Sequence, residues 1–358
     1  MGFSLAERLR RASPRTGTPG TPLVTVGVTS YHDAAVISRC LSSLVDQTLS
    51  KDQMEVLVVD DGSSDRTTAA ARSFSSSAEW AGFEVLAHKS TGSPSRGRNT
   101  ILDRARGTYT FFLDADDYLG PEALQALTRA AGAQRADIAV GRYVGVNRSA
   151  PNILARKNPE HPGGYHAGWL NSLHVQKLFR TEFLRSLSYR FNESLIYASD
   201  HPFMISAFLH ARQVAEVPDT NCYFITLDPA GQNSRGHVSR AEIPAVKQLQ
   251  FLHDCFGILA LGRGAGGQRA KLAGRMRIDY WNRLLKLHIP QLILRKDQND
   301  DAAITALAAQ ASSLAELYGA RTSRVQLIEG AQQMLAALGT EEPAEIYATA
   351  QRLRSPAA

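Results

Sequence analysis

The sequence lacks any apolar stretch of the ~20 residues that a membrane-spanning helix needs, because its longest apolar runs are strand-sized. It also lacks a secretory apolar region at the start, where Arg8, Arg10 and Arg11 interrupt the pattern. A myristoylation signal is excluded because Ala6 stands where Ser or Thr is required. We therefore expect a cytoplasmic protein with no transmembrane segment, either free or in peripheral contact with the inner face of the membrane.

Cysteine is scarce and not patterned for metal binding or cross-linking. The three cysteines, Cys40, Cys222 and Cys255, are odd in number and far apart, with no CxxC pair and no zinc-ligand spacing. This argues against a disulfide framework and against a structural zinc site. Buried reduced thiols are expected.

Positive charge is in excess, with a net charge of +6 and a pI of about 9.3. One interpretation is solvated surface charge in an Arg-rich protein. The other is an anionic ligand, an anionic polymer or the inner membrane surface. No nucleic-acid recognition motif or array of basic and aromatic residues accompanies the charge, so a nucleic-acid partner is not expected.

Three regions follow one another along the chain. Residues 1–21 form a tail rich in Arg, Ser, Thr, Gly and Pro, for which a mobile segment is expected. Residues 22–240 alternate strand and helix patterns, which predicts an α/β domain whose mostly parallel sheet has helices on both faces. Residues 241–358 read as several helices, with a break at 262–267. Self-association through these helices is the favoured role, with an acceptor platform and a membrane dock as alternatives. The predicted strands cover 23–28, 54–59, 83–87, 109–113 and 137–140, with shorter ones near 175–179 and 222–227.

The most informative motif joins an apolar run to a group of carboxylates. Residues 109–113 read Tyr-Thr-Phe-Phe-Leu, which predicts a buried strand, and Asp114, Asp116 and Asp117 follow directly. Three like charges at one strand end raise one another's pKa, and a divalent cation removes that cost. A metal site that receives a phosphorylated ligand is the first interpretation. The alternative is a solvated turn in which Asp117 helps to start the following helix.

Three further motifs occupy equivalent places in the predicted sheet. Residues 29–33 follow the first strand, 58–65 end the second, and 92–99 precede the third helix. Because ligands of open α/β sheets bind beyond the carboxyl ends of the strands, all four motifs are expected to line one crevice.

Taken together, the motifs resemble those of family 2 glycosyltransferases with the GT-A fold. The family pattern is matched over residues 22–118 and more loosely over 180–240, but not beyond about residue 245. Thr29 stands where the family usually has Pro, His32 where it has Asn, and Gly97 where it has Ala. The resemblance divides the α/β domain into a nucleotide-sugar half at 22–118 and an acceptor half at 119–240.

The resemblance implies a UDP-sugar donor, a hydroxyl-bearing acceptor and inversion at the anomeric carbon. It implies that Mn²⁺ or Mg²⁺ is held by Asp116 and Asp114. The nucleotide-binding residues that it implies are Thr29, Tyr31, Asp33, Asp60, Asp61, Arg98, Asp114 and Ala115.

The general base is expected at Asp200. Residues 191–203 resemble the acceptor segment of the family, although Ser199 replaces the usual Glu. An Asp at a helix start facing a cleft can take the proton of an acceptor hydroxyl, whereas the structural alternative is a helix cap. Arg235 and His237 lie in a basic loop that would either meet the diphosphate or acceptor, or be solvated.

The acceptor class is left open, with an anionic cell-wall polymer and a natural product both considered. A haloacid dehalogenase-type phosphatase would carry its Asp-x-Asp on the first strand, whereas three βα units precede it here. Residues 29–33 do not form the Gly-rich loop of a nucleotidyltransferase. The remaining alternative is a catalytically weak scaffold that binds nucleotide sugars, suggested by Ser199.

Overall fold

A computed structural model describes residues 20–154, 164–227, 243, 245–340 and 342–355. Its central feature is an eight-stranded sheet with the strand order β3-β2-β1-β4-β7-β6-β8-β5. The strands are β1 (Val24–Ser30), β2 (Met54–Asp60), β3 (Gly82–Ala87), β4 (Tyr109–Asp114), β5 (Tyr118–Leu119), β6 (Ile138–Val146), β7 (Leu178–Arg180) and β8 (Val214–Thr226).

The described helices lie partly between the strands and partly after them. Those associated with the sheet are α1 (Ile37–Val45), α2 (Thr67–Arg72), α3 (Ser95–Arg104), α4 (Ala123–Gln134) and α5 (Thr181–Ser186). The others are α6 (Asp200–His210), α7 (Ala245–Gln248), α8 (Phe251–Gly264), α9 (Gly267–Arg283), α10 (Ile289–Ile293), α11 (Asp301–Leu317), α12 (Glu329–Ala337) and α13 (Pro343–Arg354).

The first four strands form a parallel core in which β1, β2 and β4 are apolar and almost entirely buried, whereas β3, at the edge, is only partly covered. All seven residues of β2 are buried, as are six of the seven in β1. The order β3-β2-β1-β4 means that the first two crossovers step one way and the third steps back. With right-handed crossovers, α3 therefore lies on the face opposite α1 and α2. The prediction of a mostly parallel sheet with helices on both faces is confirmed.

Close approach of α3 to this sheet depends on one glycine. A Cβ atom on Gly27 of β1 would lie 2.4 Å from the Ile101 side chain of α3. Real Cβ atoms do not approach other heavy atoms so closely, so any other residue here would push α3 away from the sheet. Since α3 carries Arg98, the position of that guanidinium depends on Gly27.

The second half of the sheet is mixed. Strand β7 pairs antiparallel with both β4 and β6, β8 pairs parallel with β6, and β5 pairs antiparallel with β8. The pairing of β6 with β8 shifts register, since Gly141 faces Val217 whereas Arg142 faces Asn221. Pro218 lies in the skipped segment, where its missing N–H costs no ladder hydrogen bond.

The described residues divide into two compact units. The first comprises 20–154, 164, 174–193 and 211–227, and holds the sheet. The second comprises 165–173, 194–210, 243, 245–340 and 342–355. Its interior is aromatic: Phe256 stacks on Trp281, with ring centroids 4.6 Å apart, and on Tyr318 at 5.0 Å.

The second unit differs from the helical domain expected at 241–358, because it also takes in the segment with Asp200. Helix α6 packs against α8 and α9, and Trp169 stacks on Phe208 at 5.2 Å. The predicted break at 262–267 is confirmed, since α8 ends at Gly264 and α9 begins at Gly267. Within the described parts of the chain, every helix is too short or too polar to cross a bilayer. Residues 1–19 of the predicted tail are outside the described residues.

Candidate functional site

The register of the parallel strands brings three of the predicted site residues, Thr29, Asp60 and Asp114, to one edge of the sheet. Thr29 of β1 faces Asp114 of β4, and Ser30 faces Asp60 of β2. These pairs mark the carboxyl ends of three adjacent strands. These residues therefore meet at the edge where α/β sheets bind ligands.

Three carboxylates converge at this edge. Oxygen atoms of Asp114, Asp116 and Asp117 all lie within 4.8 Å of one another. An all-oxygen, multiply charged donor set suits a hard divalent cation such as Mg²⁺ or Mn²⁺. The residues therefore fit the metal that the sequence predicts.

Asp117 is the buried member of the cluster and is held by its own protein partners. Its two oxygens accept hydrogen bonds from the Tyr223 hydroxyl and the Thr226 main-chain N–H, each at 2.7 Å. Burial, followed by the charges of Asp116 and Asp114, raises the pKa of Asp117 to about 8. Negative charge at this position is therefore poorly compensated by the surrounding protein, as expected where a cation binds. Asp114 and Asp116 are more accessible than Asp117 and are better placed as ligands.

Asp114 is oriented by three side chains. One oxygen accepts from Arg98 Nη2 at 3.2 Å and from Thr29 Oγ1 at 3.3 Å, and the other accepts from Gln176 Nε2 at 2.6 Å. The Arg98 side chain is only 4% exposed, whereas that of Asp114 is 32% exposed. Arg98 thus helps to orient the Asp114 carboxylate, and its guanidinium also lies over the Phe191 ring, 5.7 Å from the centroid.

The backbone around Asp116 is fixed as well. Its carbonyl accepts hydrogen bonds from Arg39 Nη2 at 2.6 Å and from the Thr226 hydroxyl. Ala115, between the two acidic residues, is fully buried and its N–H donates to the Thr29 carbonyl at 3.1 Å. Ala115 is therefore part of the backbone floor that holds the acidic turn beside β1.

The carboxylates of Asp60 and Asp61, at the turn after β2, accept hydrogen bonds that hold the neighbouring loops in place. Asp60 is 1% exposed, and its oxygens accept from Ser30 Oγ at 3.2 Å and from the main-chain N–H and hydroxyl of Ser63. Asp61 accepts from the N–H groups of Thr91 and Gly92, each at 3.0 Å. Both residues thus join the 60–63 turn to neighbouring segments, a role that the motif alone does not reveal.

The loop after β1 is held in an unusual conformation. His32 has φ +54°, which non-glycine residues seldom adopt, and its N–H donates to Ser63 Oγ at 2.8 Å. Asp33 is fully buried, accepts from the Tyr31 N–H at 2.9 Å, and starts α1 through its carbonyl. Tyr31 is left partly exposed, packed edge-on against the His32 ring.

The predicted base belongs to the second unit. Asp200 is the first residue of α6, next to Ser199, which is 5% exposed, and to Ala198, which has φ +50°. His201 is 6% exposed, and its Nδ1 lies 2.8 Å from the Tyr280 hydroxyl, so it serves the interior of this unit. Arg235 and His237 lie outside the described residues.

Sequence reasoning missed the partners that complete the site. Gln176, Tyr223 and Thr226 belong to no motif, and only the sheet topology brings them to the acidic turn. Glu193 hydrogen-bonds to Asn99 Nδ2 and Arg96 Nε, each at 3.1 Å, and these contacts, the Asn99 one first, lower its pKa. A carboxylate stabilised in this way is a weaker base.

This sheet, with an acidic turn at the end of β4, has the architecture of a GT-A glycosyltransferase domain. Residues 25–196 match the family model described as Glycosyl transferase family 2. Over these residues the chain is similar to this family, as its motifs indicate.

Curated relatives are similar over the same region. The poly(ribitol-phosphate) beta-glucosyltransferase of Bacillus spizizenii is 28% identical over 225 residues, which are 62% of this chain and 34% of the relative. The poly(ribitol-phosphate) beta-N-acetylglucosaminyltransferase TarS of Staphylococcus aureus is 26% identical over 223 residues, 62% of this chain and 39% of the relative. The chain thus spans between a third and two fifths of these relatives.

Solved structures extend the likeness in fold beyond the family match. The crystal structure of S. aureus TarS 1-349 in complex with UDP-GlcNAc has a TM-score of 0.74 at 22% sequence identity. The match covers 92% of this chain and 91% of that one. At this identity the likeness shows the fold alone, including the helical region that follows the sheet.

Proposed function

We propose that this protein transfers a hexose from a UDP-sugar to an acceptor hydroxyl with inversion, assisted by Mn²⁺ or Mg²⁺. The convergence of the Asp114, Asp116 and Asp117 carboxylates at the carboxyl edge of the sheet carries the proposal. That cluster suits a cation bound to a diphosphate, and two similar relatives are named as glycosyltransferases.

Asp114 and Asp116 are the residues that would hold the cation, which when bound would neutralise charge on the diphosphate and stabilise the departing UDP. Arg98 and Gln176 keep the Asp114 carboxylate in place. Tyr31, Asp61 and the loops that Asp33 and Asp60 shape would surround the nucleotide.

The chemical step follows from one base and one leaving group. The acceptor oxygen forms a bond to the anomeric carbon while the bond from that carbon to the UDP oxygen breaks. The acceptor proton passes to the Asp200 carboxylate. A single displacement of this kind inverts the anomeric configuration.

For the acceptor, we propose a hydroxyl on a polyol-phosphate polymer. The support is twofold: two similar relatives carry poly(ribitol-phosphate) in their names, and this chain has a net charge of +6. A cationic protein attracts a polyanion and raises its local concentration.

The test is UDP release by the purified full chain. UDP-glucose and UDP-GlcNAc are each supplied with Mn²⁺, Mg²⁺ or EDTA, and with poly(ribitol phosphate), free ribitol or no acceptor. We expect release that requires the cation and that rises with the polymer. UDP binding without release under any condition would instead support the non-catalytic scaffold, for which the Ser199 substitution is the only support.

A further inference from the structure

Gln176 lies beside the acidic turn although it belongs to no motif. It precedes β7 by two residues, and β7 pairs antiparallel with β4. The chain before β7 therefore lies at the end of β4 that carries Asp114. There, Gln176 Nε2 donates to Asp114 Oδ2 at 2.6 Å.

The orientation of the Gln176 amide follows from chemistry. A carboxylate only accepts hydrogen bonds, so the NH₂ group must face Asp114 and the carbonyl oxygen must point elsewhere. Gln176 is 5% exposed, and Oε1 is buried with no hydrogen-bond partner among the described residues. A buried acceptor without a donor is costly, and it marks a place where a ligand donor would be stabilising.

A second set of contacts holds the residue in place. The Tyr143 hydroxyl donates to the Gln176 carbonyl at 2.9 Å, and Lys177 Nζ donates to the same hydroxyl at 3.2 Å. Lys177 is 1% exposed, and its Nζ also donates to the His174 carbonyl. Because its main chain is fixed in this way, Gln176 presents Oε1 at a defined position beside Asp114.

We propose that Gln176 Oε1 accepts a hydrogen bond from a hydroxyl of the bound nucleotide sugar, while Nε2 orients Asp114. The inference rests on the proposed function, which supplies the ligand. A sugar hydroxyl fits because an amide oxygen accepts a hydrogen bond from any O–H group, and hydroxyls are the donors that a nucleotide sugar carries on its ribose and hexose. Either the ribose or the transferred hexose supplies this group.

Binding calorimetry with Mn²⁺ distinguishes the two sources. Wild type and Gln176→Met are titrated with UDP, 2′-deoxy-UDP, 3′-deoxy-UDP and UDP-glucose. If the ribose is bound, wild type prefers UDP over one deoxy analogue by about 3–10-fold and Gln176→Met loses that preference. If the hexose is bound, wild type prefers UDP-glucose over UDP by a similar factor, and Gln176→Met loses that preference.

Gln176→Glu and Gln47→Met are the comparison variants. Glu replaces the donor to Asp114 with a second carboxylate that repels it, so overall binding should weaken in this variant. Gln47 is another buried glutamine, 3% exposed, whose Nε2 donates to the Ser43 and Gly120 carbonyls and whose Oε1 accepts from Leu124. Gln47→Met should lower the melting temperature and leave every affinity ratio unchanged.

The possible results test the role of Gln176 separately from the proposed glycosyltransferase function. Unchanged ratios in Gln176→Met would overturn the role of Oε1 while leaving UDP binding intact. Equal affinity of wild type for all four ligands would also overturn the role of Oε1. This result needs no variant, so it would hold even if Gln176→Met failed to fold. Absence of UDP binding by wild type would instead contradict the proposed function.

Discussion

Replacing Asp137 with Asn should destabilise the sheet-containing unit, because this buried carboxylate joins three strands. Asp137 precedes β6 and is 1% exposed. It accepts from the Arg212 N–H at 2.8 Å, ahead of β8, and from the Arg180 guanidinium at the end of β7, through Nε at 3.2 Å and through Nη2. Asn keeps one acceptor oxygen, so at least one charge-assisted hydrogen bond is lost.

The expected loss of folding stability in Asp137→Asn follows from the burial of this carboxylate. Removing one partner of a fully buried ion pair costs about 3–5 kcal/mol, and one charge-assisted hydrogen bond contributes about 1.5–3 kcal/mol. Arg180 is 27% exposed and can be rehydrated in the variant, so we expect the lower part of this range, about 2–3 kcal/mol. That corresponds to a melting temperature about 5–10 °C lower.

The pH dependence of folding stability provides a second test of the role of Asp137. Burial opposes ionisation of Asp137, but the Arg212 N–H and the Arg180 guanidinium outweigh it and lower the pKa. A folded-state pKa below the unfolded value of about 3.9 gives stabilisation that is complete above that pH. It is lost as pH falls through the folded-state pKa, so the difference between wild type and Asp137→Asn should shrink in acid.

Thermal unfolding by circular dichroism from pH 3 to pH 8 makes the measurement. The control is Asp103→Asn, which removes an exposed ion pair with Arg190, where the carboxylate is 63% exposed. Such a pair contributes below about 1 kcal/mol, so the control should melt close to wild type. Equal melting temperatures for Asp137→Asn and Asp103→Asn at pH 7 would refute the reasoning.

Four further outcomes are expected. Asp116→Ala should abolish the Mn²⁺-dependent part of UDP affinity in calorimetry, and wild-type affinity with Mn²⁺ would rule out its metal role. Asp200→Asn should lower kcat by about 10²–10⁴-fold with UDP affinity unchanged, whereas normal turnover would leave Asp200 as a helix cap. Product NMR should show an inverted anomeric centre, and retention would contradict the single displacement. Gly62→Ala should lower the melting temperature, because Gly62 has φ +82° and an added Cβ would lie 2.6 Å from the Ser90 nitrogen; an unchanged value would show that the turn can adapt.

The first half of the sheet was predictable because its strands are specified by patterns in short, local stretches of sequence. Strands β1 to β4 are short apolar runs between turn residues, and each predicted range overlaps the observed one. Their parallel order follows from alternation with helices, and the strand ends then place Asp60 and Asp114 at one edge.

The second half was less predictable because tertiary pairing decides it. The first part of β8, from Val214 to Asn221, includes Pro218 and polar residues and shows no strand pattern. It becomes a strand through pairing with β6, and the register shift accommodates the proline. The role of Gln176 was hidden for the same reason, since only the antiparallel pairing of β7 with β4 brings it to Asp114.

The short strand β7 affects the order in which the two halves of the sheet fold. This three-residue strand is the link in the sheet between β4 and β6. Strands β1 to β4 meet through successive short crossovers, whereas β7 must return to β4 from more than 60 residues further along the chain. Contacts between distant residues carry a larger loop-closure cost and tend to form later. We therefore expect the half that contains β1 to β4 to gain amide-exchange protection first, and Asp114 to acquire its Gln176 partner only in the last stage of folding.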